Sequence, residues 1–347
     1  MIKYRAVSAI LIILYAMTSF MCNAPAEPAA PGVINSASDT TSQNFSFQSF
    51  SFGDGTETGI LNDVWVFNRN NIWAVGLVTY EDEASTNILH WDGRAWQKVA
   101  SLFNESGFEG IWALDSTHIY FAAGGIARYD NGSFEIMPMN IQFERGQGIN
   151  LLWGSSERNI WGAGPSGTLA YYDGTQWKQI SFDRQWYFYK LTGSCRSGMG
   201  YALARNSRDE MIIVRLSGAS ASIIYNSSIS ENHLTANTMT MASENEIYCA
   251  GSSVWRFNAY NFESKVLYTP SETSYFEQGY TNASNDIFFT GTDNSGSILL
   301  HFNGLRFTKF TLPENYDISG DIYVKGNLAV TVGSSDNKAS IIEIMRQ

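Results

Sequence analysis

The 347-residue chain has few charged residues, fewer basic ones and only 4 histidines, and each shortage argues against a class of protein. Charged residues make up 16% of the sequence, whereas an average soluble domain has about a quarter. Lys and Arg number 22 against 33 Asp and Glu, so the net charge is -11, and the sequence has no basic run. Because such a chain repels a phosphate backbone, we expect no nucleic-acid partner.

The chain also lacks the common catalytic and metal-binding motifs. It has no H-E-x-x-H, no paired C-x-x-C, no G-x-S-x-G and no phosphate-binding glycine loop. His90 and His301 occupy one repeat position where other copies have Arg or Tyr, which indicates strand-face residues. The acidic stretch 81–83 has the chemistry of a hard-cation site, but we interpret it as a solvated loop. We therefore predict no catalytic residue, no metal and no cofactor.

Three cysteines are too few for a disulfide framework. Cys195 and Cys249 lie in neighbouring repeats, where a bridge is geometrically conceivable. We interpret them instead as two small core residues, since free cysteine is among the most buried residue types. Cys22 belongs to a different segment.

The only long apolar run lies at the N-terminus, at 6–20, and it follows the basic residues Lys3 and Arg5. It has the length of a signal peptide and is short for a membrane-spanning helix. We assign 1–22 to a signal peptide and the Ala-, Pro-, Ser- and Thr-rich stretch 23–44 to a flexible tether. Two ways of processing the signal peptide remain open, because Cys22 stands where a lipoprotein signal ends and 24–26 offers an A-x-A cleavage site. Either one predicts an extracytoplasmic protein, secreted or an outer-membrane lipoprotein, that touches the membrane only through an N-terminal lipid.

What the chain has in abundance is a repeat, which begins at residue 45. Each copy holds Ile or a similar residue, then an aromatic residue, then Gly or Ala three positions later. The aromatic position is occupied by Trp73, Tyr120, Trp161, Tyr201, Tyr248, Phe288 and, in a degenerate seventh copy, Val330. The steps average about 43 residues, which is the period of a propeller blade.

Two further repeat positions predict four strands in each copy. Eight residues before the aromatic position lie Trp65, Trp112, Trp153 and, in later copies, Gly193, Thr240 and Tyr280. Turns with two flanking aromatic residues follow at 91–96, 129–134, 172–177 and 302–307. Their Asp-Gly and Asn-Gly pairs supply the positive φ angles that tight hairpins need. The pattern predicts an all-β, seven-bladed β-propeller over 45–347, with four antiparallel strands in each blade.

The two ends of the repeat region predict how the ring closes. The last copy stops after three strands, and the aromatic segment 45–52 ahead of the first copy belongs to no blade. Inserting this segment into the seventh blade completes it and removes two exposed sheet edges. We therefore predict that the N-terminal strand completes the last blade.

The repeats "NIWAVG…HWDGRAW" and "NIWGAG…YYDGTQW" resemble those of a broad group of secreted bacterial β-propellers. They are similar, more distantly, to Kelch repeats, whose glycine doublet is matched only at 124–125. The resemblance covers about 45–347. It implies an architecture and does not imply one activity, since propellers host many functions.

One candidate site is a polar ring at the mouth of the central channel. The position three residues before the first-strand landmark is polar in every copy, and the first strand of a blade is the innermost one. The residues at this position are Asn62, Glu109, Asn150, Lys190, Asn237 and Glu277. Such a ring has the chemistry to grip a polar ligand or an ion, although the starts of strands are also commonly solvated.

The second candidate is the set of loops that join the last strand of one blade to the first strand of the next, here called the d–a loops. For connecting loops they contain unusually many aromatic residues, namely Phe103, Phe108, Phe143, Trp186–Tyr189 and Tyr275–Phe276. Exposed aromatic rings beside polar groups suit sugars or a protein partner, and Trp186 and Tyr187 are the leading candidates. The alternative is that these rings fold back over the blade edges.

We therefore predict a monomeric extracytoplasmic binding or scaffolding protein that recognises a glycan or a protein partner through the d–a loop face. One alternative is a carbohydrate-active enzyme, a lyase or hydrolase, at the mouth of the channel, for which Glu109, Glu277 and Lys190 are the ring candidates. The other alternative is a purely structural module of the envelope.

Overall fold

The computed structural model describes residues 40–347 except 58, 82–83, 101–106, 231–233, 314–315 and 318. These residues form seven antiparallel sheets, which confirms the predicted seven-bladed β-propeller. The predicted signal peptide with Cys22, the tether up to 39, and residues 82–83, Phe103 and His233 lie outside the described part.

The first three blades have four strands each, numbered in chain order. Blade 1 comprises β2 (Ile60–Asn68), β3 (Asn71–Val78), β4 (Thr86–Trp91) and β5 (Trp96–Ala100). Blade 2 comprises β6 (Gly110–Asp115), β7 (His118–Ala123), β8 (Gly125–Asp130) and β9 (Ser133–Ile136). Blade 3 comprises β10 (Leu151–Ser156), β11 (Asn159–Ala163), β12 (Leu169–Tyr172) and β13 (Trp177–Gln179).

The next three blades repeat the same order of strands. Blade 4 comprises β14 (Tyr187–Gly193), β15 (Met199–Arg205), β16 (Met211–Ser217) and β17 (Ser220–Asn226). Blade 5 comprises β18 (Thr238–Ser243), β19 (Glu246–Ala250), β20 (Val254–Asn258) and β21 (Ser264–Tyr268). Blade 6 comprises β22 (Ser274–Ala283), β23 (Asp286–Asp293), β24 (Gly296–Phe302) and β25 (Phe307–Thr311).

Blade 7 closes the ring with strands from both ends of the repeat region. It contains β26 (Tyr316–Asp317), β27 (Ile322–Lys325), β28 (Leu328–Ser335), β29 (Lys338–Arg346) and the N-terminal β1 (Phe45–Phe52). Strand β1 pairs with β29 along its whole length, from Phe45 opposite Arg346 to Phe52 opposite Ala339. The predicted closure is therefore confirmed, and the first strands of neighbouring blades contact one another all the way round, back to β27 against β2.

The predicted hairpins form because Asp and Asn cap them. The Oδ1 atom of Asp92 accepts the backbone N–H groups of Arg94 and Ala95, and Gly93 adopts a φ of 89°. Trp91 and Trp96 pair across the two strands, with ring centroids 5.8 Å apart. The equivalent aromatic pairs in blades 2, 3 and 6 form in the same way.

Large aromatic residues of one blade fill the space that glycines leave in the next. Trp153 of blade 3 is 8% exposed and lies against Gly193 and Gly200 of blade 4. A methyl group placed on Gly193 would lie 2.1 Å from Cζ2 of Trp153, which is far inside a van der Waals contact. The same arrangement joins Trp112 of blade 2 to Gly154 of blade 3, so the blades interlock through this core.

The register differs from the predicted one in two blades. Thr192, and not Gly193, lies opposite Tyr201 in blade 4, because the turn between β14 and β15 is longer than in other copies. In blade 7 the turn is shorter, and Tyr323 lies opposite Val330. The first-strand landmark is thus shifted by one residue in each of these two blades.

A buried polar cluster fastens blade 6 to the closing blade on the face opposite the d–a loops. The Oδ1 atom of Asp286 lies 2.7 Å from Nε2 of His301, and Arg346 of β29 forms an ion pair with the same carboxylate. Gln43 donates to the backbone carbonyl of His301, and Thr41 is hydrogen-bonded to blade 6. Residues 40–44, which the sequence assigns to the tether, therefore already lie against the propeller.

Candidate functional site

The d–a loops and the starts of the first strands share one face of the ring, and most of the predicted polar ring lies there. Its described members stand around the opening of the central channel and are here called the rim. The rim comprises Asn62, Glu109, Asn150, Tyr189, Asn237 and Glu277. Tyr189 replaces Lys190 in this set because of the shifted register in blade 4.

Two of the rim asparagines join neighbouring blades. Nδ2 of Asn62 in blade 1 donates to the carbonyl oxygen of Phe108 in blade 2, at 2.7 Å. Nδ2 of Asn237 in blade 5 donates to the carbonyl oxygen of Phe276 in blade 6, at 3.2 Å. These two side chains therefore help to hold the ring together, whatever else they contact.

Lys190 lies one level deeper, inside the channel, and is 8% exposed. Its Nζ atom forms an ion pair with Asp321 of blade 7 and lies 3.4 Å from Oε1 of Gln278 of blade 6. A lysine from blade 4 thus spans the channel to the opposite side. The cavity around it, about 140 Å³, is lined by residues of the first strands.

Asp63 is the second carboxylate at this deeper level. Its carboxylate accepts the N–H groups of Val64, at 2.7 Å, and of Ile111 on blade 2, at 2.9 Å. Burial, and then the charge of Asp321, raise the pKa of Asp63 to about 8, although the Ile111 N–H and Lys190 partly oppose the rise. The carboxyl group of Asp63 thus favours its protonated form.

Two exposed tyrosines stand on the rim face, and each reaches an asparagine of the preceding blade. Tyr187 of blade 4 is 44% exposed and hydrogen-bonds to the side chain of Asn150 in blade 3. Tyr275 of blade 6 is 46% exposed, and its hydroxyl donates to Oδ1 of Asn237 in blade 5, at 3.0 Å. Tyr189 packs beside Tyr187, with ring centroids 5.2 Å apart. The rings are therefore exposed but fixed.

Trp186, the other leading aromatic candidate, does not belong to this surface. Its side chain is 5% exposed and packs in the core with Phe188 and Leu191. The loop before β14 turns its indole inward and its next residue, Tyr187, outward, as alternation along a strand requires. Phe108 and Phe276 are buried as well.

The rim carboxylates stand apart from each other. Glu109 lies on blade 2 and Glu277 on blade 6, with three blades between them on one side and two on the other. Burial raises the pKa of Glu109, and burial together with the charge of Asp317 raises that of Glu277. Neither forms an ion pair with any residue in the described ranges.

Comparison with known proteins gives the fold and no closer relationship. No protein-family model matches the chain, and no curated protein matches its sequence. The chain has the fold of a β-propeller. YCF48 bound to a D1 peptide is 13% identical, with a TM-score of 0.62, covering 87% of this chain and 97% of that one.

Two other propellers match over a similar length. A catalytically inactive virginiamycin B lyase from Staphylococcus aureus, with quinupristin, is 11% identical, with a TM-score of 0.64, covering 88% of this chain and 100% of that one. The WD40 propeller domain of Doa1 is 13% identical, with a TM-score of 0.60, covering 87% and 97%.

No cluster of three or more His, Cys, Asp or Glu side chains among the described residues has the geometry of a metal site. No helix in the same ranges is long and apolar enough for a membrane crossing.

Cys249 is a buried free thiol, so it forms no bridge with Cys195, which lines the channel cavity.

Sequence reasoning missed Arg205, which lies beside the rim. Arg205 ends the second strand of blade 4, and its Nη2 atom donates to Oδ1 of Asn237, at 2.6 Å, and to the carbonyl oxygen of Ala236, at 2.9 Å. Four residues after the aromatic repeat position, the other copies carry Leu, Gly, Pro, Ser or Thr. The arginine at this position, which no other copy has, was the signal in the sequence that could have identified Arg205.

Proposed function

We propose that the protein is an extracytoplasmic binding or scaffolding protein that holds a protein partner on its d–a loop face. The observation that carries this proposal is the pair of exposed tyrosines on the rim face, Tyr187 and Tyr275. Each is held by an asparagine of the neighbouring blade, Asn150 or Asn237. No comparable pair of fixed, half-exposed aromatic rings occurs elsewhere in the described part of the chain.

Fixed tyrosines suit recognition for two physical reasons. A tyrosine offers a large apolar face together with a polar tip, and tyrosine is enriched among residues that dominate binding energy. A ring that is already held in place loses little side-chain entropy when a partner covers it. The rigid propeller fixes the distance between Tyr187 and Tyr275, so a partner must match that spacing.

The charge of this face favours a partner with a basic surface. Glu109 and Glu277 border the channel mouth without an ion pair among the described residues, and the whole chain has a net charge of -11. Complementary charges steer encounter and select partners more than they add affinity. Partner binding is therefore expected to weaken as salt concentration rises.

Two further observations support the proposal. The apolar run 6–20 after Lys3 and Arg5 supports export, and Cys22 supports a lipid anchor. The solved propellers with this fold include one bound to a peptide, and that peptide is a ligand of that protein. They illustrate that the fold serves protein recognition, while the site itself is argued from this chain.

The carbohydrate-active-enzyme alternative receives less support from the geometry. It requires two carboxylates, or a base with a positive group, to converge on one substrate. Glu109 and Glu277 stand on separate blades, and Lys190 is engaged with Asp321 below the rim. The observations favour binding over catalysis.

The test compares binding by the full chain and by two variants. The protein is immobilised and probed with a peptide array of envelope proteins and a glycan array, first as wild type and then as the double variant Tyr187→Ala, Tyr275→Ala. Tyr260→Ala, which removes a 78% exposed ring from the opposite face, is the matched control. We expect peptide binding to fall at least tenfold in the double variant and to persist in the control.

Other results would contradict the proposal. Equal binding by wild type and the double variant would remove the rim from consideration. Binding to glycans alone would replace the protein partner with a sugar, and binding to nothing would favour the structural module. Palmitate labelling that disappears in Cys22→Ala tests the lipid anchor separately.

A further inference from the structure

A second cavity opens on the rim face between blades 4, 5 and 6, and the proposed partner surface does not explain it. Its volume is about 230 Å³, and its lining includes Arg205, Asp209, Asn237 and Tyr275. This is below the 300–1,000 Å³ of clefts for drug-sized ligands, so the cavity suits one small ring. It lies to one side of the central channel.

Arg205 is the fixed part of the cavity wall. Its Nη2 atom donates to Asn237 and Ala236, and its guanidinium lies beside the ring of Tyr189, 5.8 Å from the centroid. The Nε atom is buried and has no hydrogen-bond partner among the described residues. The Nη1 atom is therefore the donor that Arg205 presents to the cavity.

Asp209 faces this donor but holds it weakly. The Oδ1 atom of Asp209 lies 3.7 Å from Nη1 of Arg205, which is beyond hydrogen-bond distance, and the Asp209 side chain is 88% exposed. An exposed ion pair of this kind contributes little to stability. The two charges compensate each other, yet both retain unfilled capacity for hydrogen bonds with a ligand.

The rest of the wall combines hydroxyl groups with apolar surface. The hydroxyls belong to Thr235, Ser252, Tyr275 and Ser227, whose Oγ accepts the backbone N–H of Met211, and the buried apolar part belongs to Met211 and Ala236. The Tyr275 hydroxyl donates to Asn237, which leaves its oxygen as an acceptor for a ligand. The half-exposed ring of Tyr275 offers an aromatic face at the edge of the same cavity.

We propose that this cavity binds a single neutral sugar ring, such as the terminal residue of a glycan. A sugar presents several hydroxyls, each both donor and acceptor, around one apolar face. That pattern matches a wall with one guanidinium, one carboxylate, four hydroxyls and an aromatic ring. An acidic sugar is disfavoured by Asp209 and by Glu277, which lies two residues after Tyr275.

A free amino acid is the main competing ligand, since its two charges would pair with Arg205 and Asp209. It would leave the hydroxyls of Ser227, Thr235, Ser252 and Tyr275 without a ligand to bind. The number of neutral hydrogen-bonding groups therefore favours the sugar. This proposal does not depend on the protein partner, because the cavity shares only Asn237 with the rim and only Tyr275 with the pair of exposed tyrosines.

The experiment titrates the full chain with methyl glycosides of glucose, galactose, mannose and N-acetylglucosamine, followed by saturation-transfer NMR. Glucuronate and alanine are the acidic-sugar and amino-acid probes. The variants are Asp209→Asn and Ser252→Ala, which leave the tyrosines of the rim intact. Asn is well tolerated at the φ of 61° that Asp209 adopts, so this variant retains the local backbone.

We expect at least one methyl glycoside to bind the wild type. Binding should be about tenfold weaker in Asp209→Asn and undetectable in the double variant Asp209→Asn, Ser252→Ala. Asp183→Asn, an exposed aspartate on the same face outside the cavity, should bind as the wild type does. Tyr187→Ala should lose the protein partner and keep the sugar, which separates failure of this proposal from failure of the proposed function.

The sugar proposal is overturned by any of three results. These are no binding of any methyl glycoside, binding that both cavity variants leave unchanged, or preferential binding of alanine or glucuronate. A folded far-UV spectrum and an unchanged denaturation midpoint of each variant exclude misfolding as the cause.

Discussion

Two polar clusters on opposite faces of the ring, the closing cluster around Asp286 and the rim, both contain carboxylates and differ in how these carboxylates are paired. On the closing side, Asp286 meets His301, Arg346 and Asn282, and its side chain is 1% exposed. On the rim, Glu109 and Glu277 have no ion pair among the described residues and face the channel mouth. Asp286 is thus paired within the chain, whereas the rim carboxylates remain able to form ion pairs with a partner.

This difference shows that pairing, more than charge, separates structural from recognition residues in a repeat fold. Burial alone would raise the pKa of Asp286, but hydrogen bonds from His301 and Asn282 and the Arg346 charge outweigh it and lower the pKa. Burial raises the pKa of Glu109 with nothing opposing it. The sequence position of a carboxylate in its repeat does not reveal which case applies.

The largest expected effect comes from breaking the closing cluster. Asp286→Ala leaves His301 and Arg346 buried without their carboxylate, and removal of one partner from a buried pair costs about 3–5 kcal/mol. Denaturant titration should show this loss of stability. Asp173→Ala, in an exposed turn, is the control and should lose much less stability. Equal losses in the two variants would contradict the view that the closing cluster fastens the ring.

A smaller loss is expected where the blades interlock. Gly193→Ala places a methyl group 2.1 Å from the ring of Trp153, and forced overpacking costs about 1–3 kcal/mol. Gly125→Ala is the matched control, since its new methyl group meets nothing within 4 Å. Denaturation midpoints measure both, and an unchanged midpoint in Gly193→Ala would mean that the blades are more loosely packed than described.

The architecture was predictable because each copy repeats a physical requirement. Trp65, Trp112 and Trp153 must pack against a neighbouring sheet, and the Asp-Gly turns must reverse the chain, so the spacing of these residues fixes blade number and strand count. The segment 45–52 belonged to no copy, and the three-stranded seventh copy was the one blade with a strand missing. The closure of the ring could therefore be predicted as well.

The candidate site was only partly predictable, because turn lengths shift the register without leaving a mark on the pattern. One extra residue in the turn after β14 placed Lys190 inside the channel instead of on the rim. Trp186 and Tyr187 are adjacent aromatic residues, and only the direction of the strand decides which one is buried. Arg205 acts through contacts with another blade, which no single repeat contains.

A third test uses pH, because the two sides of the ring should respond with opposite sign. The unfolded chain releases the Asp63 proton near 3.8, whereas the folded chain keeps it up to about 8, so stability should fall as pH rises between these values. The pKa of Asp286 is lowered instead, so its contribution is lost as pH falls in the acid range. Denaturant titrations at pH 5 and 8.5 should therefore give a higher stability at pH 5.

In Asp63→Asn, that difference between pH 5 and pH 8.5 should shrink, because the amide cannot ionise near Asp321 and Lys190. Asp173→Asn serves as the control, since its carboxylate stabilises an exposed turn on the other face. A decline that persists unchanged in Asp63→Asn would assign the pH dependence to a different group.

The smallest effect on stability, and the sharpest contrast with Asp286, is expected on the rim. Glu277→Gln removes a charge that has no ion pair among the described residues and relieves its repulsion with Asp317, so stability should change by about 0.5 kcal/mol or less. The same variant should weaken a basic partner and flatten the salt dependence of its binding, because complementary charge acts on encounter and selectivity. Denaturation and binding titrations at two salt concentrations measure both quantities on one protein. A rim carboxylate that proved as important for folding as Asp286, and irrelevant to binding, would place both clusters in the same structural class and leave the d–a loop face without a recognition role.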